Sequence, residues 1–193
     1  GINVPSFVLL DQADFRTRGA TEVLSSAVDE LGLPLIVKPA QGGSSLGVSI
    51  VRTAPDAPYA MVNAYAYGDR AILQRFIPGT EVTVGVLQTR DGLRSLPVIE
   101  IHADSGVYDY DARYTAGSTE FTVPANLPAS VLDTCAEVAM TVHSALGLSH
   151  WSRSDLIVDA DGRVWFLEVN VAPGMTETST YPQAVAAAGL QMG

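Results

Sequence analysis

The sequence predicts an α+β fold built mostly from antiparallel strands. Three observations lead there. Apolar runs of strand length are joined by turns at Arg90-Asp91-Gly92 and Asp161-Gly162, which signals hairpins. Two stretches, 21–32 and 129–147, carry apolar residues every third or fourth position, the helical period. Strands and helices do not alternate one for one, so a parallel βαβ sheet is not expected.

In chain order, "VPSFVLL" (4–10) reads as a short strand. "TEVLSSAVDELG" (21–32) reads as a helix closed by Gly32, since glycine commonly follows a last helical turn. "LPLIVKP" (33–39) is an apolar strand ending in a lysine. A glycine- and serine-rich loop follows at 40–48, and 48–51 returns as a strand. Residues 56–67 read as a helix. Strands 71–77 and 81–89 are separated by a turn at Pro78-Gly79, and 93–102 pairs back through the 90–92 turn. Residues 103–122 read as a long polar and aromatic loop, a length that in a compact domain is usually functional. The helix at 129–147 ends at Gly147, two strands flank Asp161-Gly162 within 150–170, and 180–190 closes as a helix.

Composition narrows the class. With 47% hydrophobic and 17% charged residues the chain forms a core and is not disordered. A net charge of −10 argues against nucleic acid or an anionic membrane as partner. An anionic small ligand must then be held by a few focused cations. The single cysteine, Cys135, lies in an apolar-periodic helical stretch and reads as a core thiol. It excludes an internal disulfide and fits a reducing compartment. No apolar run nears the ~20 residues that span a bilayer, and no signal peptide is visible. The chain opens on Gly1 without methionine and ends in "GLQMG"; both ends look like cuts in a longer protein.

Chemistry concentrates in "SRSDLIVDADGRVWFLEVNVAPGM". Folding the strands antiparallel about Asp161-Gly162 puts residue 155 opposite 168 and 153 opposite 170. Side chains alternate faces, so Arg153, Asp155, Glu168 and Asn170 share one face. Leu167, Val169 and Val171 are expected to point inward. Oxygen ligands without sulfur or imidazole suit Mg²⁺ or Mn²⁺. The alternative is a solvated face with a structural salt bridge. In "IVKPAQGGSSLGV" a strand-end lysine precedes a flexible loop whose backbone N–H groups and hydroxyls can cover phosphates. It is not a Walker A motif, because the lysine precedes the glycines; a plain flexible loop is the alternative. In "LQRFIPGTE" a strand and turn precede Glu81, an arrangement that can offer backbone groups to a purine and a carboxylate to a ribose.

The order of these parts resembles the ATP-grasp superfamily. "VKPAQGGSSLGVS", "YDYDARY", "VPANLP", "SRSDLIVDADG", "LEVNVAPGMTETSTYP" and "AAAGL" narrow the resemblance to the D-alanine–D-alanine ligase family, from one end of the chain to the other. That resemblance implies two α+β lobes with mostly antiparallel sheets sandwiching ATP, a smaller lobe over 1–77 and a larger one over 78–193. It implies joining of two D-alanines through an acyl phosphate, with ATP and Mg²⁺ or Mn²⁺, for peptidoglycan precursors in the cytoplasm. It also implies a homodimer when full length. By position, Lys38 matches the phosphate lysine; Gly43, Ser44 and Ser45 match the covering loop, with Ser44 organising the active site. Residues Gln74, Arg75, Phe76 and Ile77 match the adenine hinge, read by the backbone of Arg75 and Ile77, and Glu81 matches the ribose carboxylate. Asp155, Glu168 and Asn170 match the metal ligands. Arg153 and the Gly174 N–H match the oxyanion-stabilising pair, and Ser179 matches the holder of the second D-alanine's carboxylate.

The sequence also departs from the family pattern. Arg113 stands where a lid-loop lysine is usual and is expected on the γ-phosphoryl group; the two cations are not equivalent there. Its neighbour Tyr114 is the tyrosine of the D-alanine-using ligases, where D-lactate-using relatives carry phenylalanine. Gln74 replaces a usual glutamate. The family's N-terminal domain is absent and its final helix is cut short after Gly189, so weak or no ligase activity is expected of this chain alone. A related ligase with another acceptor, or an incomplete nucleotide-binding fragment, stays open at this stage.

Overall fold

The computed structural model describes residues 1–43, 45–103 and 119–191. They form two compact units, Pro5–Ile77 on one side and Gly1–Val4 with the residues from Pro78 onward on the other.

In the Pro5–Ile77 unit, the described strands are β1 (Phe7–Asp11), β2 (Leu35–Pro39), β3 (Ser49–Val51) and β4 (Arg70–Arg75). They form one antiparallel sheet in the order β1-β4-β2-β3. Helices α1 (Gln12–Arg18), α2 (Ala20–Leu31) and α3 (Ala57–Tyr65) complete the unit. Alternation sends Leu35, Val37, Val51, Ala71 and Leu73 to one face, fully buried against Leu24, Leu31, Ala57 and Met61 of the helices. The opposite face carries Phe7, Leu9, Ile36, Lys38, Ile72 and Gln74. Helix α1 has no counterpart in the sequence reading. Phe15 is its one large apolar residue, and that ring meets Tyr65 of α3 at 5.7 Å between centroids.

The second unit carries β5 (Thr80–Thr89), β6 (Gly92–Ser95), β7 (Ile99–Ala103), β8 (Thr119–Thr122), β9 (Trp151–Val158) and β10 (Val164–Asn170). Among the described residues they run β10-β9-β5-β7-β8, with β6 also on β5. Helices α4 (Ala129–Ala145) and α5 (Thr180–Ala187) pack on it. The expected single strand at 93–102 is two strands. Pro97 has no N–H for a ladder, and the chain breaks there; Leu96 N–H donates to Gly85 O at 2.8 Å and Val98 O accepts from Ala125 N–H at 2.8 Å. The expected loop at 103–122 ends in β8, which pairs with β7; four residues with one large apolar side chain gave no period to detect.

One face of this sheet is apolar. Val82, Val84 and Val86 of β5, Leu156 and Val158 of β9 and Val164 of β10 pack with Cys135 and Ala139 of α4. Cys135 is thus a buried core thiol, and burial pushes its pKa up to about 11. On the other face α5 sets Tyr181, Ala184 and Val185 against Leu96 and Ile99. The β9–β10 turn is organised by Asp159, whose carboxylate accepts from Trp165 Nε1 at 2.9 Å and from the N–H groups of Asp161 and Arg163 at 3.0 and 2.9 Å. These bonds, Trp165 foremost, hold the Asp159 carboxyl below its ordinary pKa. Along the outer edge of β10, Phe166 N–H donates to Asn3 O at 2.9 Å, and Asn3 Nδ2 donates to Val164 O at 3.2 Å. Among the described residues no helix is long and apolar enough to cross a membrane.

Candidate functional site

The site begins with sheet register. Thr83 of β5 pairs with Asp155 of β9, and Asp155 with Glu168 of β10. One step along, Gly85 pairs with Arg153, and Arg153 with Asn170. Directly paired residues share a face, so Arg153, Asp155, Glu168 and Asn170 lie together as the sequence predicts, opposite the α4 side. The route differs from the expected uniform hairpin. Near the turn the pairs are Val164–Val158, Trp165–Ile157 and Phe166–Leu156, and the register shifts by one between Phe166 and Glu168. Leu167 is the extra residue of a bulge. Without the shift, Leu167 would stand opposite Asp155 and Glu168 opposite Ser154, on the α4 side.

Arg153 and Asp155 form a buried, forked ion pair. Arg153 Nε and Nη2 donate to the two Asp155 carboxylate oxygens at 2.9 and 2.8 Å, and Thr83 Oγ1 donates to Oδ1 at 2.7 Å. Two parallel charge-assisted bonds fix the plane of the carboxylate as well as its position. Glu168 is exposed. Asn170 Oδ1 accepts the N–H of Ala172 at 2.9 Å, closing an Asx turn that ends the strand. Val171, expected inward, is 58% exposed, because alternation stops with the strand at Asn170. Leu167 and Val169 are half-buried.

Beyond the turn, Gly174 sits against Ser179: a Cβ on Gly174 would lie 2.7 Å from Ser179 Oγ. Ser179 is the N-cap residue of α5, its N–H donating to Thr176 O and its hydroxyl meeting Thr176 Oγ1, both at 2.8 Å. The first turn of α5 is keyed to β5, where Tyr181 OH donates to Val86 O at 3.0 Å. A Cβ on Gly85 would meet the Tyr181 ring at 3.0 Å and Leu96 Cδ1 at 2.7 Å, so any side chain at the residue paired with Arg153 would have to displace Leu96 and press on Tyr181. Glu81, half-buried, shares the polar face through its pairing with Ile157.

Other predicted residues lie in the Pro5–Ile77 unit. Lys38, half-buried on β2, shares the face opposite Leu35, Val37 and Leu73 with Ile36, Ile72 and the buried Gln74. The chain then enters the loop holding exposed Gly43 and half-buried Ser45, the latter at φ 56°. Gly47, at φ 73°, anchors the loop's far end, with Tyr67 and Pro39 where a Cβ would stand. At the hinge the Arg75 N–H donates to Ser6 O at 2.9 Å and the Phe76 N–H to Pro34 O at 3.3 Å. No described backbone bond of this kind takes the Ile77 N–H. Ser44, Arg113 and Tyr114 lie outside the described residues.

The donor set suits a hard divalent cation: two carboxylates and a carboxamide on one sheet face, with no soft ligand among them. Among the described residues no group of three or more His, Cys, Asp or Glu is placed to hold a metal ion, so a cation here would rest on two carboxylates and the Asn170 carboxamide. Sequence reasoning missed Thr83 and Asn3. Thr83 was detectable in principle, since it lies two residues from Glu81 on an alternating strand. Asn3 reaches a backbone 161 residues away, and no local pattern signals that.

The family described as "D-ala D-ala ligase C-terminus" matches residues 1–193. The D-alanine–D-alanine ligase of Bordetella petrii is 40% identical over 98% of this chain and 56% of its own length. That of Pelotomaculum thermopropionicum is 37% identical over 99% and 60%. The chain therefore spans little more than half the length of these relatives. Among solved structures, VanG D-Ala:D-Ser ligase from Enterococcus faecalis superposes with TM-score 0.81 at 33% identity, covering 98% of this chain and 54% of that one. The Bacillus anthracis D-alanine–D-alanine ligase complexed with ATP gives 0.73 at 26%, covering 98% and 55%. The antiparallel α+β architecture is thus the ATP-grasp one, and the chain belongs to the D-alanine–D-alanine ligase C-terminal family.

Proposed function

We propose that this chain supplies the nucleotide- and metal-binding part of a cytoplasmic ATP-dependent ligase that joins two D-alanines for peptidoglycan precursors, dimeric when full length. The observation that carries the reading is the shared face of Arg153, Asp155, Glu168 and Asn170. Asp155, Glu168 and Asn170 would hold Mg²⁺ or Mn²⁺, which when bound neutralises charge on the nucleotide's phosphates. Lys38 and Arg113 add positive charge there, and Gly43, Ser44 and Ser45 cover the phosphates. The hinge at 74–77 takes the adenine edge and Glu81 the ribose hydroxyls. Arg153 and the Gly174 N–H stabilise charge that develops only as the second amine attacks. Ser179, at the positive end of α5, holds the acceptor carboxylate, and Tyr114 favours D-alanine over D-lactate.

The test is divalent-dependent ATP binding, read with Mn²⁺ by EPR, followed by ADP release with D-alanine, D-serine or D-lactate as acceptor. ATP binding is expected only with a divalent ion, and D-alanine is expected to give the highest kcat/KM. Glu168→Gln is expected to weaken Mn²⁺·ATP binding by about 10- to 100-fold while the thermal midpoint barely moves. A Glu168→Gln protein that loses binding only by unfolding would identify the face as a structural salt bridge instead.

A further inference from the structure

The glycine- and serine-rich loop after β2 is tied at both ends to the stretch from Tyr67 to Arg70, between α3 and β4. At the near end the Ala40 N–H donates to Arg70 O at 2.9 Å. At the far end the tie is an aromatic ring. Gly47 sits at φ 73°, and a Cβ there would lie 2.6 and 3.1 Å from Cδ2 and Cε2 of Tyr67 and 2.9 Å from Pro39 Cγ. Pro39 follows Lys38 and is the last residue of β2, so the loop's two ends close on each other beside that ring. Both the positive φ and the close approach call for a glycine. Two bonds curl the loop on itself, Leu46 N–H to Gly43 O and Val48 N–H to Ser45 O, both at 3.3 Å. Just past it, Asn63 Nδ2 of α3 donates to Ser49 Oγ at 3.2 Å. Tyr67 is 48% exposed and stands apart from the unit's buried core. Its N–H donates to Ala64 O at 3.1 Å, which fixes it to the last turn of α3. A ring left half in water buries less apolar surface than a core aromatic; this one covers a residue that has no side chain of its own.

We propose that Tyr67 is a positioning residue for the phosphate-covering loop. Its ring and Pro39 clamp Gly47, which closes the loop at its base and narrows the conformations open to the residues between. The fraction of loops already in the covering form sets the apparent affinity of any ligand they hold. Tyr67 touches no phosphate and acts through Gly47. Only the ligand groups under the loop feel it, so its effect falls on the terminal phosphates and spares adenine and ribose. The inference rests on the reading that this loop covers the nucleotide's phosphates, and its test separates the two.

The experiment measures Mn²⁺·ATP and AMP binding to the full chain by calorimetry, and follows hydrogen exchange of the amides of residues 42–47 with each ligand. It compares the wild type with Tyr67→Ala and with Tyr67→Phe, which keeps the ring carbons that meet Gly47. In the wild type, Mn²⁺·ATP is expected to slow exchange in the loop and AMP is not. Tyr67→Ala is expected to bind Mn²⁺·ATP about tenfold more weakly, as an equal drop in the competent loop fraction gives, and to bind AMP as the wild type does. It is also expected to lose most of the ATP-dependent protection, with the thermal midpoint nearly unchanged. Tyr67→Phe is expected to match the wild type throughout. Equal losses for ATP and AMP in Tyr67→Ala would make Tyr67 a merely structural residue and overturn the proposal, as would wild-type ATP affinity and loop protection in that variant. A Tyr67→Phe protein as weak as Tyr67→Ala would assign the effect to the hydroxyl and overturn it too. A wild-type loop that Mn²⁺·ATP does not protect would overturn the covering reading itself, and this inference with it.

Discussion

Arg153→Ala is expected to destabilise the unit that carries it by about 3–5 kcal/mol. Arg153 and Asp155 are 8% and 4% exposed and bonded through both carboxylate oxygens. Removing the guanidinium takes away the charge facing a buried carboxylate, and that exceeds the cost of losing one ordinary hydrogen bond. Chemical denaturation reads the loss as a lower midpoint with an unchanged slope. The paired variant Arg153→Met/Asp155→Leu is expected to regain most of the stability, because two apolar side chains leave no charge to compensate. Its Mn²⁺·ATP affinity should stay below that of the wild type, the split expected if the pair is kept for the site rather than for folding. A loss under about 1 kcal/mol for Arg153→Ala would mean the pair behaves as an exposed one.

Leu156→Ala is expected to cost about 2–5 kcal/mol and to leave the site's affinity alone. Leu156 is fully buried between Asp155 and Ile157 and packs on the α4 side with Val82, Val84 and Cys135. Its neighbour Asp155 points to the other face, so the cavity opens away from the polar row. Urea unfolding should show the full loss. Mn²⁺·ATP affinity measured well below the unfolding transition should match the wild type. A fall in affinity comparable to that of Glu168→Gln would show that the two faces of β9 are mechanically coupled.

How much of this was legible beforehand varies from residue to residue. Arg153 with Asp155 and Glu168 with Asn170 keep the period of two, so each pair's shared face followed from alternation, while the meeting of the two pairs needed the cross-strand register. The register came out right at those four residues, yet the uniform hairpin behind it was wrong, since the structure starts one residue out of step and corrects at Leu167. Nothing in "VWFLEVN" marks a bulge: no glycine, no proline, only apolar neighbours. The break at Pro97 is legible in the missing N–H, although the flanking residues suit a continuous strand. Helix α1 was not legible, since one phenylalanine sets no period. Thr83 could be placed beside Asp155 only once β5 was known to lie against β9, a pairing between segments 72 residues apart.

The bulge at Leu167 makes the site depend on parity. A homologous chain could keep every motif letter and the same length yet pair its whole hairpin in the turn-side register, without the bulge. Its turn would still close, but its carboxylate and carboxamide would face α4 instead of the ion pair. A chain one residue shorter between Val164 and Glu168 would need no bulge, because the turn-side register would then set its carboxylate opposite Asp155 directly. The motif letters alone therefore do not place the carboxylate; the length of that interval and its bulge must be read together.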